Sequence, residues 1–206
     1  WENLARKLAH EIKNPLTPIQ LTIDKLKSKY SEKIAEHEKN DFSKSLLIIG
    51  KQIKQIENLV NEFSDFARMP KPILKDNNLV SLIKDNIKLT GELDSEIAIN
   101  FKLNKPEVLL NSDSEQLSRV FLNLLKNAIE SVQEKKIGND NFVGKIDVTL
   151  NENEENINFI IVDNGLGFGI LADNIKNILN PYFTTKKKGT GLGLAIVNKI
   201  INDHNG

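Results

Sequence analysis

Cysteine is absent from these 206 residues, and methionine and tryptophan occur once each. Without cysteine there are no disulfides, no thiolate-held zinc and no cysteine nucleophile. The three histidines, His10, His37 and His204, stand far apart, which argues against a histidine metal cluster. Neither sign of charge is in excess: 28 Lys and Arg face 28 Asp and Glu. No global basic field points to nucleic acid, and no acidic excess points to disorder. No apolar run approaches the roughly 18 residues of a membrane span, and there is no signal peptide. The sequence therefore predicts no nucleic-acid partner and no membrane contact by these residues. The chain opens on Trp1 and its methionine is Met69, so it reads as a fragment of something longer.

What is present begins with His10-Glu11-Ile12-Lys13-Asn14-Pro15, inside a helical run from Trp1 to Lys29. With Leu8 as reference, Ile12, Ile19, Ile23 and Leu26 continue an apolar stripe at three- and four-residue steps. His10 falls on the opposite side, and Asn14 stacks one turn above it. Pro15 and Pro18 remove helical donors and are expected to bend the helix just past the histidine. An exposed histidine on an amphipathic helix is most often ordinary surface, so this segment alone decides nothing. Ser28 to Asp41 reads as a solvated turn that holds His37. A second helix carries Phe42, Leu46, Ile49, Ile53, Ile56, Val60 and Phe63 at alternating four- and three-residue steps, a heptad seam. Two such helices are satisfied by two hairpins from two chains, an antiparallel four-helix bundle; a hairpin packed on its own downstream domain is the alternative. Met69-Pro70-Lys71-Pro72 cannot continue a helix. It divides the chain into residues 1–69, a hinge at 70–72, and a domain at 73–206.

Beyond the hinge the pattern is mixed. Asn78 is the expected N-cap of a helix marked by Leu79, Leu82, Ile83 and Ile87. Ile97, Ile99, Phe101 and Leu103 alternate as a half-buried strand, and Val108-Leu109-Leu110 reads as a short buried one. Ser112-Asp113-Ser114-Glu115 reads as a capping box opening a long helix with Leu117, Val120, Phe121, Leu124, Leu125, Ala128 and Val132 inward. Ile146, Val148 and Leu150 form a strand, and Ile157 to Val162, apolar almost throughout, is expected to be central. Helices over one face of such a sheet make an α+β layer structure.

Three short patterns in this half carry chemistry. Asn123 and Asn127, four apart at the edge of the long helix's apolar stripe with Glu130 nearby, offer hard amide oxygens of the kind that suit Mg²⁺; two surface amides are the plainer reading. Asp163 closes a strand and runs into Asn164-Gly165-Leu166-Gly167-Phe168-Gly169, where glycines let backbone approach a flat ligand and the carboxylate can accept from an exocyclic amine. Lys186-Lys187-Lys188-Gly189-Thr190-Gly191-Leu192-Gly193-Leu194 opens a helix whose N–H groups and dipole favour an anion. Neither glycine cluster is a Walker loop or a G-x-G-x-x-G, since Ile170 and Leu194 occupy the last glycine's place.

In this order the three patterns look like the N, G1 and G2 boxes of the GHKL ATP-binding fold. With His10-Glu11-Ile12-Lys13-Asn14-Pro15 and a dimer-forming hairpin in front, the chain resembles a sensor histidine kinase core over nearly all its length. The string from His10 to Leu26, with Phe66-Ala67-Arg68-Met69-Pro70-Lys71-Pro72, is similar to the nitrogen-regulation (NtrY-like) kinases. The resemblance implies a phosphoacceptor at His10, a neighbouring base at Glu11 and a water-positioning amide at Asn14. It implies Mg²⁺ at Asn127, support of metal and phosphates by Asn123, and adenine read by Asp163, with Gly165 and Gly167 admitting the ring. Tyr182-Phe183 matches the F box, Asn174 to Lys188 a mobile ATP lid, and Gly189, Thr190, Gly191, Leu192 and Gly193 the phosphate contacts. No role attaches to His204. ATP and Mg²⁺ are the implied cofactors; a homodimer through residues 1–69 and a response-regulator receiver domain are the implied partners. The implied place is cytoplasmic, on a parent anchored in the inner membrane. The family fold continues with further strands beyond the last helix, so the domain is read as C-terminally truncated.

The implied activity is Mg-ATP-dependent phosphorylation of His10 and transfer to an aspartate, with possible phosphatase action. Phosphoryl transfer asks mainly for positioning and charge neutralisation. The hinge would bring the ATP domain to the histidine helix, of its own chain or of its partner. The rival is an ATPase clamp of the gyrase, heat-shock chaperone or mismatch-repair kind. Those carry a Glu four residues before the metal Asn, where this chain has Asn123. A protein-serine kinase of the same fold and a nucleotide-free scaffold are further alternatives.

Overall fold

The computed structural model describes residues 2–91, 96–139, 141–168, 177–184, 186 and 189–206, with the side chains of 2–6 left aside. The chain divides into two compact units, Trp1–Pro70 and Lys71–Gly206. No helix among the described residues is long and apolar enough to cross a membrane.

In the first unit, α1 (Glu2–Tyr30) and α2 (Lys39–Ala67) are joined by a turn at residues 31–38 and pack together. The helix α1 continues through Pro15 and Pro18, and the Thr22 hydroxyl donates to the Pro18 carbonyl at 2.8 Å. Burial corrects the phase of its stripe. Ala9, Leu16 and Ile23, spaced by sevens, are 3%, 6% and 7% exposed, whereas Leu8, Ile12 and Ile19 remain 40%, 42% and 44% exposed. On α2 the sevens are Leu46, Ile53 and Val60, all buried, while Ile49 and Ile56 stay 45% and 43% exposed. Leu16, Ile23, Leu46 and Ile53 form the hairpin core, with Phe42 against it. Each heptad thus spends one apolar position on the hairpin and leaves the other in solvent.

The second unit runs β1 (Lys75–Asn78), α3 (Leu79–Gly91), β2 (Ala98–Leu103), β3 (Leu109–Ser112), α4 (Ser114–Lys136), β4 (Lys145–Glu152), β5 (Ile157–Asp163) and α5 (Gly193–Asp203). The strand β1 is entirely polar and leaves no apolar signal in the sequence; it pairs antiparallel with β3. A second sheet has the order β2-β4-β5, parallel then antiparallel. Here the expectation for Ile157 to Val162 is corrected. Among the described strands β4 is central, with Ile146, Val148 and Leu150 fully buried, and β5 is an edge with Ile160 and Val162 exposed. The apolar run of β5 conceals an alternation that only its register against β4 reveals.

Asn78 does cap α3, its Oδ1 accepting from the Val80 N–H at 3.0 Å. The capping box at Ser112 is corrected by one residue. Ser112 is fully buried at the end of β3, and Asp113 is the N-cap of α4, accepting from Glu115 and Gln116 N–H, both at 3.1 Å. Its other oxygen accepts from the Ile73 N–H at 2.9 Å. Inward-facing Val120, Phe121, Leu125, Ala128 and Val132 of α4 pack toward the sheet and its neighbours α3 and α5. At about 1.5–3 kcal/mol per fully buried apolar side chain, this layer is the main source of stability for the unit.

Candidate active site

His10, Glu11 and Asn14 are all exposed on α1, beside buried Ala9. The Glu11 carboxylate lies 3.9 Å from the Lys7 ammonium, an open ion pair of little energetic weight. The rings of Pro15 and Pro18 leave the carbonyls of Glu11 and Asn14 without their i+4 donors. The imidazole of His10 is therefore open to a reactant, with a carboxylate and an amide within one helical turn.

In the second unit the site is built on α4. Asn123, Asn127, Glu130 and Ser131 recur at four- and three-residue steps, so they share one polar stripe. Beyond α4 they meet the start of α5, Lys186 and the end of β5. The Asn123 Nδ2 donates to the Arg119 carbonyl at 2.8 Å, and its Oδ1 faces the start of α5, where a Cβ on Gly193 would sit 3.1 Å away. The Asn127 Oδ1 accepts from the Lys186 ammonium at 3.1 Å, and Glu130 pairs with the same ammonium at 2.6 Å.

Ser131, which the sequence does not single out, organises the end of β5. Asp163 stands opposite Ile146 in the ladder, hence on the face toward α4. Its Oδ1 accepts from the Ser131 hydroxyl and from the Gly165 N–H, each at 2.9 Å. The Ser131 Oγ in turn accepts from the Gly167 N–H at 3.2 Å, and its carbonyl accepts from the Leu166 N–H at 3.2 Å. A Cβ on Gly165 would lie 2.4 Å from the Ser131 backbone, so α4 alone already demands glycine there. Asn164 ties the neighbouring strand: its Oδ1 accepts from the Lys145 N–H at 2.8 Å and its Nδ2 donates to the Val143 carbonyl at 2.9 Å.

The glycines near α5 serve a second close approach. Gly191, at φ +70, accepts from the Tyr182 N–H at 3.0 Å, and a Cβ there would lie 2.5 Å from the Tyr182 carbonyl carbon. Tyr182 itself has φ 69, and partial burial pushes its phenol above the ordinary value. Phe183, half-buried, follows in the same turn. Gly189 packs against Thr184 and Lys186. Leu192 is fully buried, so only its backbone is available to a ligand; its N–H reaches the Thr190 hydroxyl at 3.4 Å. The helix α5 opens with no side-chain cap, which leaves its first-turn N–H groups for an anion. Gly169 and Ile170, Lys187 and Lys188, and residues 174–176 and 185 of the expected lid lie outside the described residues.

His204, to which the sequence assigns nothing, joins the ends of two helices. Its Nε2 accepts from the Asp113 N–H at 3.0 Å and its Nδ1 lies 2.8 Å from the Ile200 carbonyl, the arrangement of an Nδ1–H tautomer. Burial would raise the Asp113 carboxyl, but the N–H groups of Ile73, Gln116 and Glu115 outweigh it, and with His204 nearby the group is held below its ordinary value.

Two family models match the two units. Residues 1–72 match the His Kinase A (phospho-acceptor) domain, and residues 112–206 the Histidine kinase-, DNA gyrase B-, and HSP90-like ATPase. The chain belongs to the sensor histidine kinases. Within that family it is 39% identical over all its residues to an NtrY-like sensor histidine kinase of Rickettsia prowazekii (strain Madrid E), 33% of whose length it covers. The chain thus spans about a third of such relatives. The nucleotide-free catalytic domain of histidine kinase ThkA aligns with 30% identity and a TM-score of 0.54, over 63% of this chain and 82% of that one. ThkA in complex with the response regulator TrrA shares the fold over 99% of this histidine kinase chain and 55% of that one, at 24% identity and a TM-score of 0.64. The N-terminal match separates the chain from the ATPase clamps, whose domain it shares.

Proposed function

We propose that this chain is the catalytic core of a protein-histidine kinase: it binds ATP with Mg²⁺ in the second unit and phosphorylates its own His10. The observation that carries the reading is the polar stripe of α4. Asn123, Asn127, Glu130 and Ser131 meet an uncapped helix start, a lysine and the Asp163 carboxylate within one unit. Asp163 keeps Oδ2 for the adenine amine, since Oδ1 is already engaged by Ser131 and Gly165. Gly165 and Gly167 admit the ring, Tyr182 and Phe183 form the F-box turn against Gly191, and the backbone from Gly189 to Gly193 takes the phosphates. The stripe fits the metal: hard amide and carboxylate oxygens at Asn127 and Glu130 already hold a cation, the Lys186 ammonium. Bound there, Mg²⁺ would supply neutralisation of phosphate charge.

At His10 the imidazole is the nucleophile and Glu11 orients it or takes its proton; Asn14 positions water in the reverse, phosphatase direction. Reaction requires the units to meet, with Pro70-Lys71-Pro72 as the joint between them. The exposed half of the seam, Ile12, Ile19, Leu26, Ile49 and Ile56, is the surface of a homodimeric four-helix bundle. A response regulator, the kind of protein crystallised with ThkA, would take the phosphoryl group onto an aspartate of its receiver domain. ATP as donor supports a cytoplasmic location for these residues.

Incubation with Mg-ATP should label the chain with acid-labile, alkali-stable phosphate, and His10→Ala should abolish labelling while ATP still binds. Labelling that survives His10→Ala contradicts the proposal.

A further inference from the structure

In the sequence Lys186 is the first of three lysines ahead of the glycines and falls within the expected lid. Its ammonium in fact stands on α4, 2.6 Å from Glu130 Oε2 and 3.1 Å from Asn127 Oδ1. The contact is half-sheltered, with 27% and 36% of the Lys186 and Glu130 side chains exposed. Two hydrogen bonds engage the Lys186 backbone itself. The Lys186 N–H donates to the Thr184 Oγ1 at 3.1 Å, and the Lys186 carbonyl accepts from the Gly189 N–H at 3.2 Å.

Asn127 Oδ1 is the atom assigned above to the metal. An amide oxygen engaged by an ammonium is a poorer ligand for a dication, and two cations on one oxygen repel each other. Glu130 attracts either one. We infer that Lys186 is a two-position binding residue of the metal and phosphate subsite. Without nucleotide it neutralises the Asn127 and Glu130 oxygens. When metal-bound triphosphate arrives, it leaves them, and its ammonium turns to a phosphate oxygen. Lys186 thus acts as an internal competitor that sets how much Mg²⁺ the site requires. The inference rests on the function proposed above.

Calorimetric titration of ATP into the whole chain, repeated over a range of Mg²⁺ concentrations, tests it without any activity readout. In Lys186→Met the Mg²⁺ concentration that half-saturates ATP binding should fall about tenfold, the equivalent of one charge-assisted contact. At saturating Mg²⁺, the same variant should bind ATP several-fold more weakly, because the released ammonium is missing. Lys186→Arg, which keeps the charge, should stay close to the unaltered chain. An unchanged or higher Mg²⁺ requirement in Lys186→Met, or loss of all ATP binding by a variant that circular dichroism shows to be folded, overturns the inference. Absence of ATP binding by the unaltered chain overturns the function reading itself, and this inference with it.

Discussion

Asp163 is read from the sequence as a strand-end carboxylate able to accept from an exocyclic amine; the fold adds its partner Ser131, 32 residues earlier. The hydroxyl holds Oδ1, while Oδ2 has no partner among the described residues, so in the proposed function Ser131 acts through Asp163. Ser131→Ala should lower ATP affinity about tenfold, or ~1.4 kcal/mol, and narrow the preference for ATP over GTP. Competitive displacement of a fluorescent nucleotide measures both. A loss of affinity with unchanged ATP-to-GTP preference would mean that Ser131 is merely structural. The sequence exposed Asn123, Asn127 and the glycines because their residue types are unusual in those positions. It hid Ser131, Asn164 and His204, whose types are common and whose partners are brought by the fold. Gly165 shows the same limit from the other side: its glycine was legible, but its reason, the backbone of α4, was not.

The start of α4 shows how an element's boundary depends on such partners. The pairing of Ser112 with Lys75 in the β1–β3 ladder removes Ser112 from the expected capping box, and the cap passes to Asp113. Asp113→Ala should destabilise the second unit by about 1 kcal/mol, read from urea unfolding. The sign of its pH dependence follows from a carboxyl whose folded value is lowered. The stabilisation is complete above the ordinary aspartate range near about 4 and is lost as pH falls through the lowered value. Asp113→Asn should therefore flatten the acid side of the stability profile, and a profile of unchanged steepness would assign that side to other groups. Helix positions were legible throughout because their period is long and repeated. The strand β5 was assigned to the centre because Ile160 and Val162 are as apolar as Phe159 and Ile161; only pairing with β4 separates the two faces. The polar β1 left no signal.

For the molecule as a whole, the heptad seam and the order of the three patterns were legible, and they led to the same family as the two domain matches. The fold adds which half of the seam each hairpin leaves open. Ile49→Asp places a charge in that half and should weaken self-association on the order of a hundredfold, whereas Leu47→Asp, exposed but off the seam, should not. Sedimentation equilibrium distinguishes them, and equal effects would move the dimer surface elsewhere. The central claim is that a triphosphate held by one unit is spent on the imidazole of the other. Its most direct measurement is mass spectrometry, under alkaline conditions, of the tryptic peptide Leu8–Lys13 after incubation with Mg-ATP. The phosphoryl group should be found on His10 of that peptide. Phosphate released to solvent or carried on another residue, with this peptide unmodified, would contradict the claim.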